Sequence, residues 1–190
     1  ILDYGVGNLR SVYKAFETVA TPLGIPVDIV DRPVDLLRWH AVVLPGQGAF
    51  GDSVNNLRRQ QLATPLLDAV QAGLPVLGIC VGMQLLATRG IEHGVTPGLG
   101  RIAGEVRAVV PSDPALKVPH MGWNTLRATG NHPILRDIAF GPEGWHAYFL
   151  HGFHLVAEKP EDVIAVADYG GPVTSVVATG TVAGTQFHPE

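Results

Sequence analysis

The first half of the chain alternates short, wholly apolar segments with stretches of helical periodicity. Segments 41–44 and 75–79 contain apolar residues and glycine alone, and the chain turns sharply after each, at 45–48 and at 80–82. A strand that is apolar on both sides must be covered on both sides, which is typical of a parallel sheet packed between helices. The sequence therefore predicts an α/β fold: a three-layer domain with a mainly parallel central sheet.

Other segments extend this pattern. Residues 1–2 and 26–30 are predicted to be further strands, and apolar spacing predicts helices that begin near Ser11 and Val81 and a helix over 53–72. In the second half, β-branched and aromatic residues concentrate in short segments close together. We expect these to be added strands, several of them antiparallel, at 106–110, 148–150, 163–166, 173–177 and 182–187. No linker interrupts the chain, so residues 1–190 are interpreted as a single domain.

Charge and cysteine content exclude several classes of protein. The net charge is −4 and the basic residues are scattered, which argues against a nucleic-acid or membrane surface as a partner. The single cysteine cannot form an internal disulfide. The longest apolar tract, 74–87, is too short to span a bilayer and contains Gln84. We expect a cytoplasmic protein.

The single cysteine lies where a buried strand meets a helix, in the segment Gly78-Ile79-Cys80-Val81-Gly82. Flanking glycines permit a tight turn of the nucleophile-elbow kind, which would present the thiol to a ligand. The backbone N–H of Val81 would then be placed to stabilise an oxyanion. A free cysteine is also among the most commonly buried residues, so this segment alone is equally consistent with simple packing.

A candidate partner for the thiol lies at the other end of the chain. His188 and Glu190 are two residues apart, so both side chains point to one side of an extended segment, which Pro189 stiffens. The carboxylate can fix the imidazole tautomer and leave the other ring nitrogen free to accept the thiol proton. Cys80, His188 and Glu190 are therefore a candidate catalytic triad.

These two segments together resemble a known family. Residues 78–84, GICVGMQ, and residues 184–190, GTQFHPE, are similar to the motifs of the class I, triad-type glutamine amidotransferases. The resemblance implies hydrolysis of glutamine to glutamate and ammonia, with Cys80 as nucleophile, His188 as base and Glu190 as its orienting acid. It implies neither a cofactor nor a metal.

The resemblance also implies an oxyanion site and a substrate site. Gly46, Gln47 and Val81 match the oxyanion positions, and the peptide of the 46–48 segment is expected to turn over before a donor faces the intermediate. Glu92 would pair with the α-ammonium of glutamine, although it could equally be a solvated loop charge. The positions that match substrate-binding residues are Gly48, Gln84, Glu92, His151, Gly152 and Phe153.

Two further segments narrow the resemblance within the family. Residues 3–12, DYGVGNLRSV, and 117–124, KVPHMGWN, resemble the glutaminase subunits of imidazole glycerol phosphate synthase, an enzyme of histidine biosynthesis. That resemblance implies an allosterically controlled heterodimer. Its (β/α)8 cyclase subunit uses the channelled ammonia to make imidazole glycerol phosphate and aminoimidazole carboxamide ribotide.

Partner-facing positions follow from the same resemblance: Asn8, Arg10, Trp123 and Tyr148. For Trp123 the alternative is an ordinary core aromatic, and Asn8 and Arg10 could merely shape a turn. We interpret His120 as a structural histidine.

The chain departs from the subgroup at several positions, and two alternatives stay open, of which the departures support only the second. Gln47 stands where a small apolar residue is usual, and Gly152 and Phe153 replace two hydroxyl-bearing residues. We also expect that the chain is shortened at both ends, since it starts without Met and stops at Glu190. The alternatives are a different triad amidotransferase, such as the glutaminase of pyridoxal phosphate synthase or anthranilate synthase, and a binding subunit without efficient glutaminase activity.

Overall fold

Helices and strands alternate up to Cys80, and strands predominate after it. The computed structural model describes residues 1–141 and 143–189. Its helices are α1 (Leu9–Ala20), α2 (Phe50–Arg59), α3 (Ala63–Gln71) and α4 (Val81–Leu85). Its strands are β1 (Val42–Gly46), β2 (Val76–Cys80), β3 (Ala87–Gly90), β4 (Thr96–Pro97), β5 (Ile102–Ala108), β6 (His120–Thr125), β7 (Arg127–Ala128), β8 (His146–His151), β9 (Phe153–Ala157), β10 (Val163–Asp168), β11 (Pro172–Thr179) and β12 (Val182–Thr185). Within the described part of the chain, no helix is both long and apolar enough to cross a membrane.

The central sheet has a parallel half and an antiparallel half. Its strand order is β1-β2-β12-β11-β10-β7, with β1, β2 and β12 parallel and the remaining strands antiparallel to their neighbours. Backbone hydrogen bonds from Leu2 to Val43, and a parallel bridge between Leu2 and Val30, extend the parallel half beyond β1. The predicted combination of a parallel sheet with added antiparallel strands is confirmed.

The register of the parallel strands brings distant parts of the chain to one edge of the sheet. Gly46 is aligned with Cys80 at the ends of β1 and β2, and Thr185 at the end of β12 is aligned with Ile79. Because parallel strands end at the same edge, the residues that follow β12 continue beside Cys80. The sheet therefore joins the two segments that sequence analysis singled out.

Two smaller sheets lie after the elbow, β4-β3-β5-β9 and β6-β8. In the β6–β8 pair, His120 is opposite His151, and in the β5–β9 pair, Ala108 is opposite Phe153. The segment 151–153 therefore runs directly from one small sheet into the other. Both ends of this segment are fixed by strand pairing.

Three predicted elements differ from those observed. The predicted helix over 53–72 is two helices, because Gln61 has a left-handed φ of 59° that ends α2 before α3 starts. The helix predicted from Val81 stops at Leu85, because the next residues pair as strand β3 with β5. Of the strand predicted at 26–30, Val30 alone makes a bridge.

The turn from β2 into α4 is packed tightly against β1. A Cβ atom at Gly82 would lie 1.8 Å from the carbonyl oxygen of Leu44, and one at Gly78 would lie 2.6 Å from the carbonyl oxygen of Gly82. Glycine is required at these positions because two backbones approach each other, rather than because of an unusual φ. This contact fixes α4 against the sheet.

We predict that Gly82→Ala destabilises the fold by about 3 kcal/mol or more, because the overlap with the Leu44 carbonyl forces the backbone apart. Gly51→Ala is the matched control, since Gly51 also lies in a helix and its added Cβ would meet Thr96 Oγ1 at an ordinary 3.4 Å. That variant should be neutral or stabilised by about 0.5–1 kcal/mol. Urea denaturation measures both, and equal effects would contradict the packing argument.

Candidate active site

Cys80 occupies a strained turn. It ends β2 and precedes α4 with φ 54° and ψ −114°, a conformation that residues other than glycine rarely adopt. Its side chain is 5% exposed and contributes to the wall of a cleft. The elbow predicted from the glycine-flanked sequence is therefore present. The strain is a cost that simple packing of a cysteine does not require.

The segment after β12 brings two polar side chains to the cysteine. The Nε2 amide of Gln186 lies 3.7 Å from the sulfur of Cys80 and is fully buried. His188 is half-buried, lines the same cleft as Cys80, and is held by a bridge in which its backbone N–H donates to the carbonyl of Tyr148. Glu190 lies outside the described residues, so its orienting role stays a prediction.

The cleft at this edge of the sheet has a volume of about 330 Å³, which suits a ligand as small as an amino acid. It opens beside the elbow and is bounded on the far side by the turn between β8 and β9. Its lining residues are Gln47, Gly48, Cys80, Val81, Gln84, Glu92, Leu150, His151, Gly152, Phe153 and His188. The structure thus brings together all the predicted substrate-binding residues, two of the three oxyanion residues and two members of the triad.

Gly46 is the predicted oxyanion residue that does not line the cleft. It is buried, and a Cβ atom there would lie 2.5 Å from the backbone nitrogen of Gly82, so close packing of β1 on α4 explains this glycine. Gly48 has a φ of 91°, which does require glycine. Between them, Gln47 has an exposed side chain, and its carbonyl accepts a 3.4 Å hydrogen bond from Ser53 Oγ. Its larger side chain is therefore accommodated without disturbing β1.

Tyr4 is a residue that sequence analysis missed. It is fully buried, and its hydroxyl donates a 2.6 Å hydrogen bond to the carbonyl of Pro45, which fixes the peptide at the start of the 46–48 segment. Burial, and secondarily the neighbouring Cys80, raise the pKa of Tyr4, so the phenol stays a donor. Its position two residues after the first predicted strand was the available signal.

Gln84 and Gln186 form a buried amide pair behind the cysteine. Gln84 Nε2 donates to Gln186 Oε1 at 3.1 Å and to the carbonyl of Phe153 at 3.0 Å. Both amino hydrogens of Gln84 are thus used within the protein, which leaves its carbonyl oxygen as the group that a ligand could contact. Gln186 was missed because the sequence does not show that β12 lies next to β2.

Glu92 is partly exposed but is not a free loop charge. It is half-buried in the cleft wall, and its Oε2 accepts a 2.8 Å hydrogen bond from the backbone N–H of Phe50, the first residue of α2. The carboxylate therefore caps α2 from outside the helix, where negative charge is favourable. The solvated alternative is wrong, and one carboxylate oxygen lies beyond this cap.

His151 is held neutral within the cleft wall. Its Nδ1 lies 2.8 Å from the carbonyl of Phe153, and burial, opposed in part by this hydrogen bond, lowers the pKa of His151 to about 4. His120 lies behind it, 3.2 Å from Nε2, and stacks between Phe149 and Tyr169. The interpretation of His120 as a structural residue agrees with its burial and ring contacts.

The predicted partner-facing aromatics are not core residues. Trp123 is 71% exposed and Tyr148 is 37% exposed, and their rings make an edge-to-face pair across β6 and β8. Exposed Met121 and Leu150 are the next cross-strand pair on the same face. These four side chains, called the β6–β8 face below, form an apolar patch that adjoins the cleft through Leu150.

Asn8 and Arg10, also predicted to face a partner, are exposed at the start of α1. The side chain of Asn8 accepts a 3.3 Å hydrogen bond from the backbone N–H of Ser11 and so caps the helix. Asn8 therefore has a structural role, as the alternative interpretation held. Contact of either residue with a partner stays a prediction.

Comparison with known proteins agrees with this geometry. The sequence model of the family described as glutamine amidotransferase class-I matches residues 1–190. The chain belongs to the class I glutamine amidotransferases. Among curated relatives of this amidotransferase, imidazole glycerol phosphate synthase subunit HisH of Rhodopseudomonas palustris is 52% identical, and that of Mesorhizobium japonicum is 50% identical. Each alignment covers 100% of this chain and 90% of the relative.

Solved structures support the amidotransferase fold. The structure of PurLQS from Thermotoga maritima matches with a TM-score of 0.72 at 22% sequence identity. The match covers 99% of this chain and 85% of that one. At this identity the similarity concerns the fold.

The strain at Cys80 generates a stability prediction. Cys80→Gly should be more stable than Cys80→Ala by about 1 kcal/mol, because glycine alone adopts this φ without strain. Both variants remove the thiol, so their comparison by chemical denaturation excludes any effect of losing the sulfur. An alanine variant at least as stable as the glycine variant would contradict a strained elbow.

The hydrogen bond by which Glu92 caps α2 leads to a second stability prediction. Glu92→Ala should lower the free energy of unfolding by about 0.5–2 kcal/mol, the usual effect of losing an N-cap acceptor. Glu92→Gln keeps an acceptor for the Phe50 N–H and should lose less than half as much. The same denaturation experiment measures both, and equal losses would show that the cap does not stabilise α2.

Proposed function

We propose that this chain is the glutaminase subunit of imidazole glycerol phosphate synthase and acts in the cytoplasm. It hydrolyses glutamine and delivers ammonia to a (β/α)8 cyclase subunit, which makes imidazole glycerol phosphate and aminoimidazole carboxamide ribotide. The observation that carries the proposal is the cleft that Cys80 and His188 share at the ends of β2 and β12. The names of the relatives that are about half identical over the whole chain support the same subunit.

The proposed reaction begins with attack by the Cys80 sulfur on the side-chain amide carbon of glutamine. His188 accepts the thiol proton and returns it to the departing nitrogen, so that ammonia leaves and a γ-glutamyl thioester remains. A water molecule, deprotonated by His188, then attacks the thioester and releases glutamate with the free thiol. Glu190 is proposed to fix the imidazole of His188 in the required tautomer.

Stabilisation of the tetrahedral intermediate is assigned to backbone donors. The N–H of Val81 is one of the first in α4 and has no partner within the helix, so it can point at an oxyanion. A second donor would come from the Gln47–Gly48 segment after its peptide turns over. The support is the positive φ of Gly48 and the weak 3.4 Å contact that holds the Gln47 carbonyl.

Recognition of the substrate's amino-acid end is assigned to Glu92 and Gln84. The oxygen of Glu92 beyond the α2 cap and the carbonyl oxygen of Gln84 are acceptors, which suits an α-ammonium group. The backbone of Gly152 and Phe153 lines the same wall, so the missing hydroxyl groups do not leave the cleft without polar atoms. This supports a working glutaminase over a binding subunit that has lost the activity.

The β6–β8 face is assigned to the cyclase. Aromatic side chains that remain exposed in a single chain are typical anchors of a protein interface. This face adjoins the cleft, so a partner bound there would cover the route by which ammonia leaves and keep it from water.

We take residues 1–190 as one domain, because the family model matches that whole range and a single large apolar cluster joins α2 and α3 to β1 and β2.

The nucleophile is tested with a glutamine-like electrophile such as 6-diazo-5-oxo-norleucine. Mass spectrometry should find one adduct, at Cys80. Cys80→Ser should abolish this adduct and lower the rate of glutamate production about 10³-fold or more. His188→Asn should lower kcat about 10²–10⁴-fold, because the general base is lost. An adduct at another residue, or none in the complex, would refute the assignment.

The partner surface is tested by affinity capture and binding measurements. The wild-type chain should recover the cyclase subunit, and Trp123→Ala should weaken binding by about tenfold or more, which corresponds to about 1.4 kcal/mol or more. Trp145→Ala is the matched control, because Trp145 is similarly exposed but lines a different, apolar cavity with Ala147. Recovery of a different synthase, or equal losses in both variants, would contradict the assignment.

A further inference from the structure

A branch of buried and partly buried hydrogen bonds reaches the sulfur of Cys80 from the carbonyl of Phe153. That carbonyl accepts from Gln84 Nε2 at 3.0 Å, and the same nitrogen donates to Gln186 Oε1 at 3.1 Å. Gln186 Nε2 in turn lies 3.7 Å from the sulfur of Cys80. Each step joins residues that are distant in sequence, so the branch exists in the folded chain alone.

A second branch leaves the same carbonyl and ends in strand β6. His151 Nδ1 lies 2.8 Å from the Phe153 oxygen, and His151 Nε2 lies 3.2 Å from His120 Nδ1. His120 Nε2 is 3.3 Å from Asn124 Nδ2, which also donates to the carbonyl of Asp168 at 2.8 Å. The two branches form one continuous chain from Asn124 to Cys80.

The Phe153 carbonyl fixes the direction of every bond in the first branch, because a carbonyl oxygen can only accept. Gln84 must turn its amino group toward that oxygen, and its second amino hydrogen then points at the Gln186 oxygen. Gln186 is thereby obliged to present its own amino group to Cys80. A flipped Gln186 would instead place a carbonyl oxygen against the sulfur.

The second branch is ordered by the same logic. His151 donates from Nδ1, so its Nε2 is an acceptor when the ring is neutral. His120 must donate from Nδ1 to that nitrogen, and its Nε2 then accepts from Asn124. Burial lowers the pKa of both histidines, which keeps the rings in the neutral state that this arrangement needs.

Burial limits the access of water to these bonds, except at the end, where the bond from Asn124 to the Asp168 carbonyl is exposed. His120, His151, Gln84 and Gln186 are each at most 6% exposed. Among the described residues, no buried side-chain nitrogen or oxygen lacks a hydrogen-bond partner. A broken link would therefore leave a buried group unpaired or force its neighbour to turn.

The hydrogen-bond chain ends at Asn124, on strand β6, which carries part of the β6–β8 face. Asn124 follows Trp123 in β6, and His120 is paired with His151 across β6 and β8. The two faces of the β6–β8 pair thus carry different side chains. One face carries the exposed aromatic residues, and the other carries the buried histidines that lead to the cleft.

We propose that Gln186, His151, His120 and Asn124 are positioning residues. The histidine branch holds the Phe153 carbonyl in place, and that carbonyl, through Gln84, holds the Gln186 amide as a donor to the Cys80 sulfur, which links the orientation of the amide to strand β6. The amide fixes where the sulfur lies relative to the cleft. None of the four is assigned a part in bond making. This inference rests on the proposed function, since it concerns the nucleophile of that reaction.

Two substitutions at His120 separate hydrogen bonding from packing. His120→Phe keeps a ring between Phe149 and Tyr169 but removes the donor to His151. His120→Asn loses the ring but keeps an amide nitrogen close to the position of Nδ1. If the hydrogen-bond chain positions Cys80, His120→Phe should lower kcat for glutamine hydrolysis in the complex at least tenfold. The KM for glutamine should stay within about twofold of the wild-type value. His120→Asn should retain kcat within about threefold.

The link to Cys80 is tested with Gln186→Met, which preserves the length of the side chain but removes the donor. Rates of Cys80 alkylation and kcat should fall together in this variant. The double variant with His120→Phe should be no slower than the slower single variant, because both break one chain. Two results would overturn the proposal: a loss of kcat in the double variant equal to the product of the two single losses, or a higher kcat in His120→Phe than in His120→Asn.

The direction of the bonds is tested by nitrogen-15 NMR of the histidine rings in the wild-type complex. Both His120 and His151 should be neutral and carry the ring proton on Nδ1. A proton on Nε2 of either ring would overturn the ordered chain even if the variants lose activity.

A failure of the proposed function itself gives a different result. Wild-type protein would then show no glutamine-like adduct at Cys80. If the wild-type adduct forms while the His120 and Gln186 variants react at the wild-type rate, the positioning role alone is refuted.

Discussion

The parallel pairing of β2 with β12 is the constraint on which the candidate site depends. Cys80 ends one strand and Gln186 follows the other, and the register of Ile79 with Thr185 sets them side by side. The distance of Gln186 from the sulfur, and the entry of His188 into the same cleft, follow from that register. Shifting it by one residue would turn the side chains of β12 to the opposite face of the sheet.

The elbow places Cys80 in the wall of the cleft at this aligned edge. Its glycines allow α4 to press against β1, and the resulting contact holds Cys80 at a φ that costs backbone energy. The strain is retained because the sheet and α4 are packed on either side of one residue. At the end of the neighbouring strand β1, the Tyr4 hydroxyl donates to the Pro45 carbonyl and holds that peptide in place.

Buried amides and imidazoles order the wall of the cleft beside the elbow. Gln84 and His151 both donate to the Phe153 carbonyl, so the polar groups that remain for a ligand are few and fixed in place. Exposed aromatic residues occupy the outer side of the same β6–β8 pair. A surface suited to a partner and a wall of the cleft are therefore two faces of one small sheet.

Much of this was determined by the sequence alone. The apolar segments predicted the parallel strands β1 and β2, and the glycines around Cys80 predicted the elbow, because both depend on local patterns. The break between α2 and α3 could not be predicted, because Gln61 adopts a left-handed φ that usually calls for glycine. The hydrogen-bonded roles of Gln186 and Tyr4 could not be predicted either, because they depend on which strands become neighbours. The sequence thus determined which groups are available for chemistry, and only the tertiary structure decided which of them meet, since strand order and register are set by packing across the whole sheet.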